Sequence, residues 1–235
     1  SNNPNGPPRT VLASPVYDAL LERIMDQALA PGARLTIDTI AVELGTSPTP
    51  VREALTRLAA EGLVQFAPFK GYTVMPLLDQ RQLADLMHVR RLLEVDAVRL
   101  AASRIIRADL RVMERELEAM VAARPEALFG TYRDYNRHDR VFHETMIAAA
   151  GNPVLLETYR TLHVHTLLAR LYRDRGEVDY DESVREHRAI VDALHAGDPN
   201  AAAAAVRAHI DGVEQRLGAI LEQHLNRVSR DRGGS

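Results

Sequence analysis

A chain of 235 residues that is 46% hydrophobic and holds no cysteine is long enough for two cored domains. Its composition excludes wholesale disorder, a disulfide framework and any thiolate metal site, and no apolar run reaches the roughly 18 residues of a membrane span, so a cytoplasmic setting is the default. The net charge of -3 does not advertise nucleic acid.

Residues 1–14 are polar and proline-rich, with no basic-then-apolar signal pattern, and are expected to be a flexible tail or a cloning remnant. Leu20, Leu21, Ile24, Met25 and Ala28 then set a helical stripe on Val16 to Ala30, which Pro31-Gly32 stops. Leu35 to Glu43 is helix-like, Gly45-Thr46-Ser47 is a turn, and Pro48 to Glu61 is a further helix. Gly62-Leu63-Val64 leads into a short hairpin that closes through Lys70-Gly71-Tyr72-Thr73-Val74. Three helices and a β-hairpin over 15–76 outline a winged helix-turn-helix, a unit that enters the major groove of DNA.

From Asp79 the pattern becomes long amphipathic helix, and an all-α six-helix bundle is expected over 79–228, with 229–235 as a disordered tail. The first helix spans about 79–106 with Leu83, Leu86, Leu93, Ala97 and Leu100 inward. The second starts at Asp109 as N-cap and runs to Arg124-Pro125. The third covers about 127–149 and ends at Gly151; the fourth starts at Asn152-Pro153 and runs to about Arg173. Asp174 to Asp181 is a charged loop, the fifth helix covers 183–196, and Gly197-Asp198-Pro199 turns into a sixth. The fold class is therefore mainly α.

In the helix from Pro48, Ser47 can accept from an early helix N–H, and Pro48 fits a position where its missing N–H costs nothing. Val51, Ala54, Leu55 and Leu58 share one face for packing. Thr49 and Arg52 point elsewhere, at the end of the helix that faces base edges. Lys70-Gly71 at the wing tip suits close approach to phosphate or the minor groove. Up to Leu77, however, six basic residues stand against seven acidic ones, short of the usual basic footprint.

This segment resembles the GntR family of bacterial regulators. The resemblance rests on Pro31-Gly32-Ala33-Arg34-Leu35, Thr49-Pro50-Val51-Arg52-Glu53-Ala54-Leu55, Leu58 with Glu61-Gly62-Leu63-Val64, and Gly71-Tyr72-Thr73-Val74. It implies DNA contact from Thr49, Arg52, Lys70 and Gly71, with Ser47 at the helix start grouped with them. Members commonly place a base-reading Arg before the Thr-Pro pair; this chain has Pro48, so that role is absent. Taken alone, Arg52 could equally be a solvated side chain paired with Glu53 or Asp38.

Asp139 and His143 lie four apart, one turn apart on one helical face. His187 interrupts the apolar stripe Val184, Ile190, Val191, Leu194, and His209 lies with Val206, Ile210, Val213 and Leu217. Three histidines and a carboxylate thus face inward on three helices, where each polar ring needs partners. A single divalent ion would satisfy all four; the donor set suits Zn, Ni, Co, Fe or Mn without choosing among them. Arg90 sits on the inward stripe of the first helix and must pair either with Glu94 or with an anionic ligand. His88, His138, His163, His165, His195 and His224 are read as surface or ordinary core residues.

The same positions are similar to the FadR-type FCD effector domain that follows many GntR winged helices. The matching residues are Asp139-x-x-Phe142-His143 with Gly151-Asn152, Glu186-His187 with Ile190, Ala193-Leu194 and Gly197-Asp198, His209-Ile210, and Arg90-x-x-Leu93-Glu94. The resemblance implies a helical domain that holds a divalent metal on Asp139, His143, His187 and His209 and binds a small carboxylate, with Arg90 as candidate effector contact. The expected protein is a ligand-responsive, homodimeric DNA-binding repressor that acts on operator DNA and has no membrane partner. The rival expectation is a metalloenzyme using the same three-His, one-Asp site. No dedicated general base or nucleophile motif supports it, and it leaves the DNA-binding half unexplained.

Overall fold

The structure is a computed structural model, and it describes residues 15–123, 129–171 and 180–233. The chain divides into two compact units between Met75 and Pro76. The first unit runs α1 (Pro15–Met25), β1 (Arg34–Leu35), α2 (Ile37–Glu43), α3 (Pro48–Ala60), β2 (Val64–Ala67) and β3 (Gly71–Val74). Its antiparallel sheet has the order β1-β3-β2. Leu20 and Ile24 of α1 pack with Val51, Leu55 and Leu58 of α3 in a fully buried core. Each such side chain stabilises the unit by roughly 1.5–3 kcal/mol.

Three local readings of this unit change. α1 ends at Met25 rather than Ala30, because the backbone turns left-handed at Gln27 (φ 53°) and Leu29 N–H donates back to Arg23 O at 2.9 Å. Leu35 is not helical: Arg34 and Leu35 pair with Thr73 and Tyr72, and this two-residue strand is too short to show an alternation pattern. Ser47 has the extended N-cap backbone but its side chain makes no cap hydrogen bond. The reason lies in the sequence: Pro48 and Pro50 occupy the first and third helical positions, so the usual N3 donor does not exist.

The wing turns through Ala67-Pro68-Phe69-Lys70, closed by Lys70 N–H to Ala67 O at 3.1 Å. Proline second and a positive φ third (Phe69, 66°) mark a type II turn, whose third position normally takes glycine. A phenylalanine there costs about 1–2 kcal/mol of backbone strain. Phe66 and Tyr72 face each other across β2 and β3 with ring centroids 4.9 Å apart, and Tyr72 Oη lies 3.3 Å from Thr56 Oγ1 on α3.

The second unit is helical: α4 (Gln80–Ala102), α5 (Arg107–Ala122), α6 (Phe129–Ala149), α7 (Pro153–Thr161), α8 (Val164–Ala169), α9 (Tyr180–His195) and α10 (Pro199–Gly233). A reciprocal capping box starts α4: Gln82 N–H donates to Asp79 Oδ1 at 2.7 Å and Asp79 N–H to Gln82 Oε1 at 3.0 Å. Asn152 caps α7 by accepting from Val154 and Leu155 N–H. α4 packs against α10 and α6, α5 against α6 and α9, and α9 against α10. Met87, Val98, Met113, Phe142, Ile190, Val206, Ile210 and Leu217 are fully buried between them.

Seven helices, not six, make up this unit among the described residues. The expected fourth helix breaks at His163, whose left-handed φ of 49° ends α7 and lets α8 start on a new axis. The N-cap of α5 is Ile106 in extended conformation. Asp109 instead occupies the first turn, where a carboxylate meets the positive end of the helix dipole. α9 begins at Tyr180, three residues early, and its hydroxyl donates to Val121 O at 2.6 Å. α10 continues to Gly233, so most of the segment expected to be a disordered tail is helical. The expected start of the third helix at 127 and most of the charged loop lie outside the described residues. In the buried stripe of α4, Arg90 and Glu94 rather than Leu93 hold the centre.

Candidate metal and DNA-binding sites

Helices α6, α9 and α10 bring His143, His187 and His209 together in the bundle interior. All three are buried, and one ring nitrogen from each lies within 4.8 Å of the other two. His143 Nε2 and His187 Nε2 are 3.3 Å apart. Asp139, one turn before His143 on α6, places Oδ1 2.9 Å from His187 Nε2 and 3.7 Å from His143 Nε2. Phe142 packs edge-on against the His187 ring at 4.8 Å and fixes its plane.

The other nitrogen of each ring has a carbonyl or carboxylate acceptor. His143 Nδ1 lies 2.8 Å from Glu94 Oε2, His187 Nδ1 lies 2.7 Å from the Ser183 carbonyl, and His209 Nδ1 lies 2.9 Å from Glu186 Oε2. Acceptors at all three Nδ1 atoms assign the protons there and leave the Nε2 lone pairs free. These lone pairs and the Asp139 Oδ1 therefore meet with no proton assigned between them. Such an array of acceptors repels itself unless a cation sits among them, and acceptors behind metal-bound histidines are how such ligands are usually oriented. The residues present fit a divalent ion.

Burial holds the site in the protonation state that a ligand set needs. It lowers the pKa of His143, and it pushes His209 down to about 3, with His187 adding to the effect. Both rings are thus neutral donors near pH 7. Burial opposes ionisation of Asp139 and Glu94 as well, yet both stay well below the usual carboxylate range. The His165 ring, with its Nδ1 beside Oδ2, does this for Asp139, and Arg90 with His143 does it for Glu94. Burial likewise opposes the charge on Glu186, but Arg216 and His209 hold it at about 2. Arg216 grips Glu186 in a fork, Nη1 to Oε1 at 2.7 Å and Nη2 to Oε2 at 2.9 Å.

The structure brings all four candidate ligands together. It places Arg90 in the interior as well, 2% exposed, with Nε donating to Glu94 Oε1 at 2.6 Å. Glu94 is thus one partner of Arg90. His165, read from sequence as an ordinary residue, belongs to the site. Its Nδ1 lies 2.8 Å from Asp139 Oδ2, and its Nε2 lies 3.0 Å from the Tyr159 hydroxyl. The Asp139 side chain, 19% exposed, is thus steered from behind while one oxygen stays with the histidines. Glu186, Ser183 and Tyr159 were likewise not singled out as site partners, and Glu94 was named only as a partner for Arg90. A buried Glu one turn after a buried Arg was the one legible signal among them.

In the first unit, Ser47, Pro48, Thr49 and Arg52 are exposed at the start of α3, and Lys70 is exposed at the wing. Arg52 forms no ion pair with Glu53, Asp38 or any other described residue. Gly71 opens β3 with φ 78°, a conformation that suits glycine, and a Cβ there would meet only open space.

Comparison with known proteins matches both units. Residues 12–74 match the family of bacterial regulatory proteins called the gntR family, and residues 85–212 match the FCD domain. The chain is 36% identical over 210 residues to a protein of Paenarthrobacter nicotinovorans named as a probable D-xylose utilization operon transcriptional repressor, covering 86% of this chain and 87% of that one. It is 31% identical over 214 residues to the HTH-type transcriptional regulator McbR of Escherichia coli strain K12, covering 90% and 93%. The solved structure of E. coli McbR/YncC superposes with a TM-score of 0.65 at 29% identity, over 89% of this chain and 96% of that one.

Proposed function

Because the chain belongs to the gntR family of bacterial regulatory proteins, with an FCD domain as its helical unit, it is a DNA-binding transcriptional regulator and not an enzyme, and we propose that it is a repressor whose helical unit holds a divalent metal and a small organic acid. One observation carries the metal reading: three Nε2 lone pairs and the Asp139 carboxylate converge, each ring oriented from its far side by an acceptor. His143, His187, His209 and Asp139 would hold the ion. When bound, it supplies a Lewis-acidic seat for carboxylate oxygens.

The residues around the seat do the rest. Glu94 and Glu186 fix the tautomers of His143 and His209, and Arg90 and Arg216 keep those two carboxylates ionised. Glu94 balances the charge of Arg90, so Arg90 would act as an effector contact by sharing its guanidinium between Glu94 and the acid. In the first unit, Thr49 and Arg52 at the head of α3 and Lys70-Gly71 at the wing contact the duplex. Two copies would read the half-sites of a pseudo-palindromic operator. The effector binds one arrangement of the protein better than the other and so lowers operator affinity.

The reading is tested by gel shift on DNA from upstream of the chain's own gene. The protein is used after chelator stripping and after reloading with zinc, each with a panel of small mono- and dicarboxylates. At least one acid should release the DNA from the reloaded protein and not from the stripped one. Retardation unaffected by every acid in both states would contradict the effector reading.

A further inference from the structure

Phe69 at the tip of the wing is the most exposed large hydrophobic side chain among the described residues, at 104% of its reference area. It also stands at the third position of a type II turn with φ 66°, where glycine would be relaxed. Neither packing nor backbone geometry accounts for an aromatic ring at this point. Contact with an apolar surface outside the chain does. A strained, outward-pointing side chain is a reason to look for function.

The surroundings identify that surface. Pro68 presets the turn, and β2 and β3 hold its base through the Ala67 and Gly71 pairing. The Phe66–Tyr72 ring pair stiffens the hairpin beneath it, and the contact of Tyr72 Oη with Thr56 Oγ1 fixes the wing against α3. Lys70, next in the chain, is exposed and forms no ion pair among the described residues, and Arg52 on α3 is in the same state. An apolar ring next to Lys70, a cation with no ion pair among the described residues, complements a polyanion that has aromatic faces inside it.

We propose that Phe69 is a wedge that the wing inserts between two stacked base pairs of duplex DNA, with Lys70 on the adjoining phosphate. The inference rests on the DNA-binding reading of this unit. Apolar side chains of this kind enter from the minor groove, partly unstack one step and kink the duplex toward the major groove. Pyrimidine–purine steps unstack at least cost, so the wedge selects sequence through deformability. Pro48 at the head of α3 offers no side-chain donor or acceptor to a base edge, so a second source of specificity at the wing has work to do.

The test uses the full chain and a duplex selected by it from random-sequence DNA. Bending is followed by end-to-end energy transfer, and unstacking by 2-aminopurine placed at each step under the wing. Wild type should bend the duplex and brighten the probe at one pyrimidine–purine step. Phe69→Gly, which relaxes the turn and keeps the fold, should lose both signals and bind roughly tenfold more weakly, the size of one lost base–aromatic stack. Phe69→Leu should keep most of the bend. A Phe69→Gly chain that bends and binds as wild type does would overturn the wedge and leave DNA binding standing. A loss of self-association by that variant in sedimentation, with bending intact, would assign the ring to a protein contact instead. Failure of wild type to enrich any duplex would overturn the DNA-binding reading and the wedge with it.

Discussion

The Nδ1 of His143 lies 2.8 Å from Glu94 Oε2, and this buried contact ties the interior salt bridge of α4 to the histidine cluster. Glu94 meets Arg90 with both oxygens and His143 with Oε2, so one carboxylate both neutralises a buried guanidinium and sets a ring tautomer. Replacing it disturbs both.

Glu94→Gln should therefore do two things. Loss of the charge leaves Arg90 buried without its counterion, and breaking such a pair costs roughly 3–5 kcal/mol. Exchange of the charged acceptor behind His143 for a neutral amide oxygen weakens that hydrogen bond and should lower metal affinity by about 10- to 100-fold. Urea unfolding and metal titration separate the two effects. Unchanged metal affinity would remove Glu94 from the orienting role.

Gly212 on α10 leaves the space that the Glu186–Arg216 fork fills. A Cβ there would stand 2.5 Å from Glu186 Oε1 and 2.7 Å from Arg216 Nη1. Gly212→Ala gains up to about 1 kcal/mol in helix propensity but must displace the carboxylate that orients His209. The variant should fold at least as readily as wild type and bind metal more weakly by roughly tenfold. Calorimetric titration that finds equal affinity would show that the fork is free to shift.

Arg52→Ala should weaken binding to the selected duplex without changing thermal unfolding, since the side chain is exposed and forms no ion pair in the chain. A base contact would cost about 1–3 kcal/mol and relax one position of the site, whereas a phosphate contact would cut the salt slope by about one. Anisotropy titrations at several salt concentrations distinguish these. Identical curves for variant and wild type would exclude Arg52 from the interface.

Chelation should lower the unfolding temperature of the metal-loaded chain. A ligand bound only by the folded state adds about 2.7 kcal/mol at a hundredfold excess over its dissociation constant. Re-addition of the ion should restore the transition. A chain whose melting ignores both chelator and zinc would have no such ligand.

Much of this was legible in the sequence because periodicity and turn chemistry are local. The winged helix, the boundary near Met75 and the inward histidines all follow from residue spacing. Other features needed three dimensions. The break at His163 follows from a left-handed residue with no glycine or proline to announce it, and that break positions α8 so that His165 reaches Asp139. Strand β1 is two residues long and exists only because β3 pairs with it. Ser47 looked like a cap, but the proline at the N3 position withholds the donor it needed. Glu94 was legible only as a partner for Arg90, and Glu186 only as the neighbour of His187, since sequence shows a carboxylate's position and not the ring it supports.

The central claim is that His143, His187, His209 and Asp139 form a metal seat, and elemental analysis of purified protein tests it most directly. Wild type should carry one equivalent of a divalent metal per chain, and the His187→Ala, His209→Ala double variant, shown folded by circular dichroism, should carry none. Wild type without metal even after incubation with zinc, or a double variant with its full complement, would contradict the account.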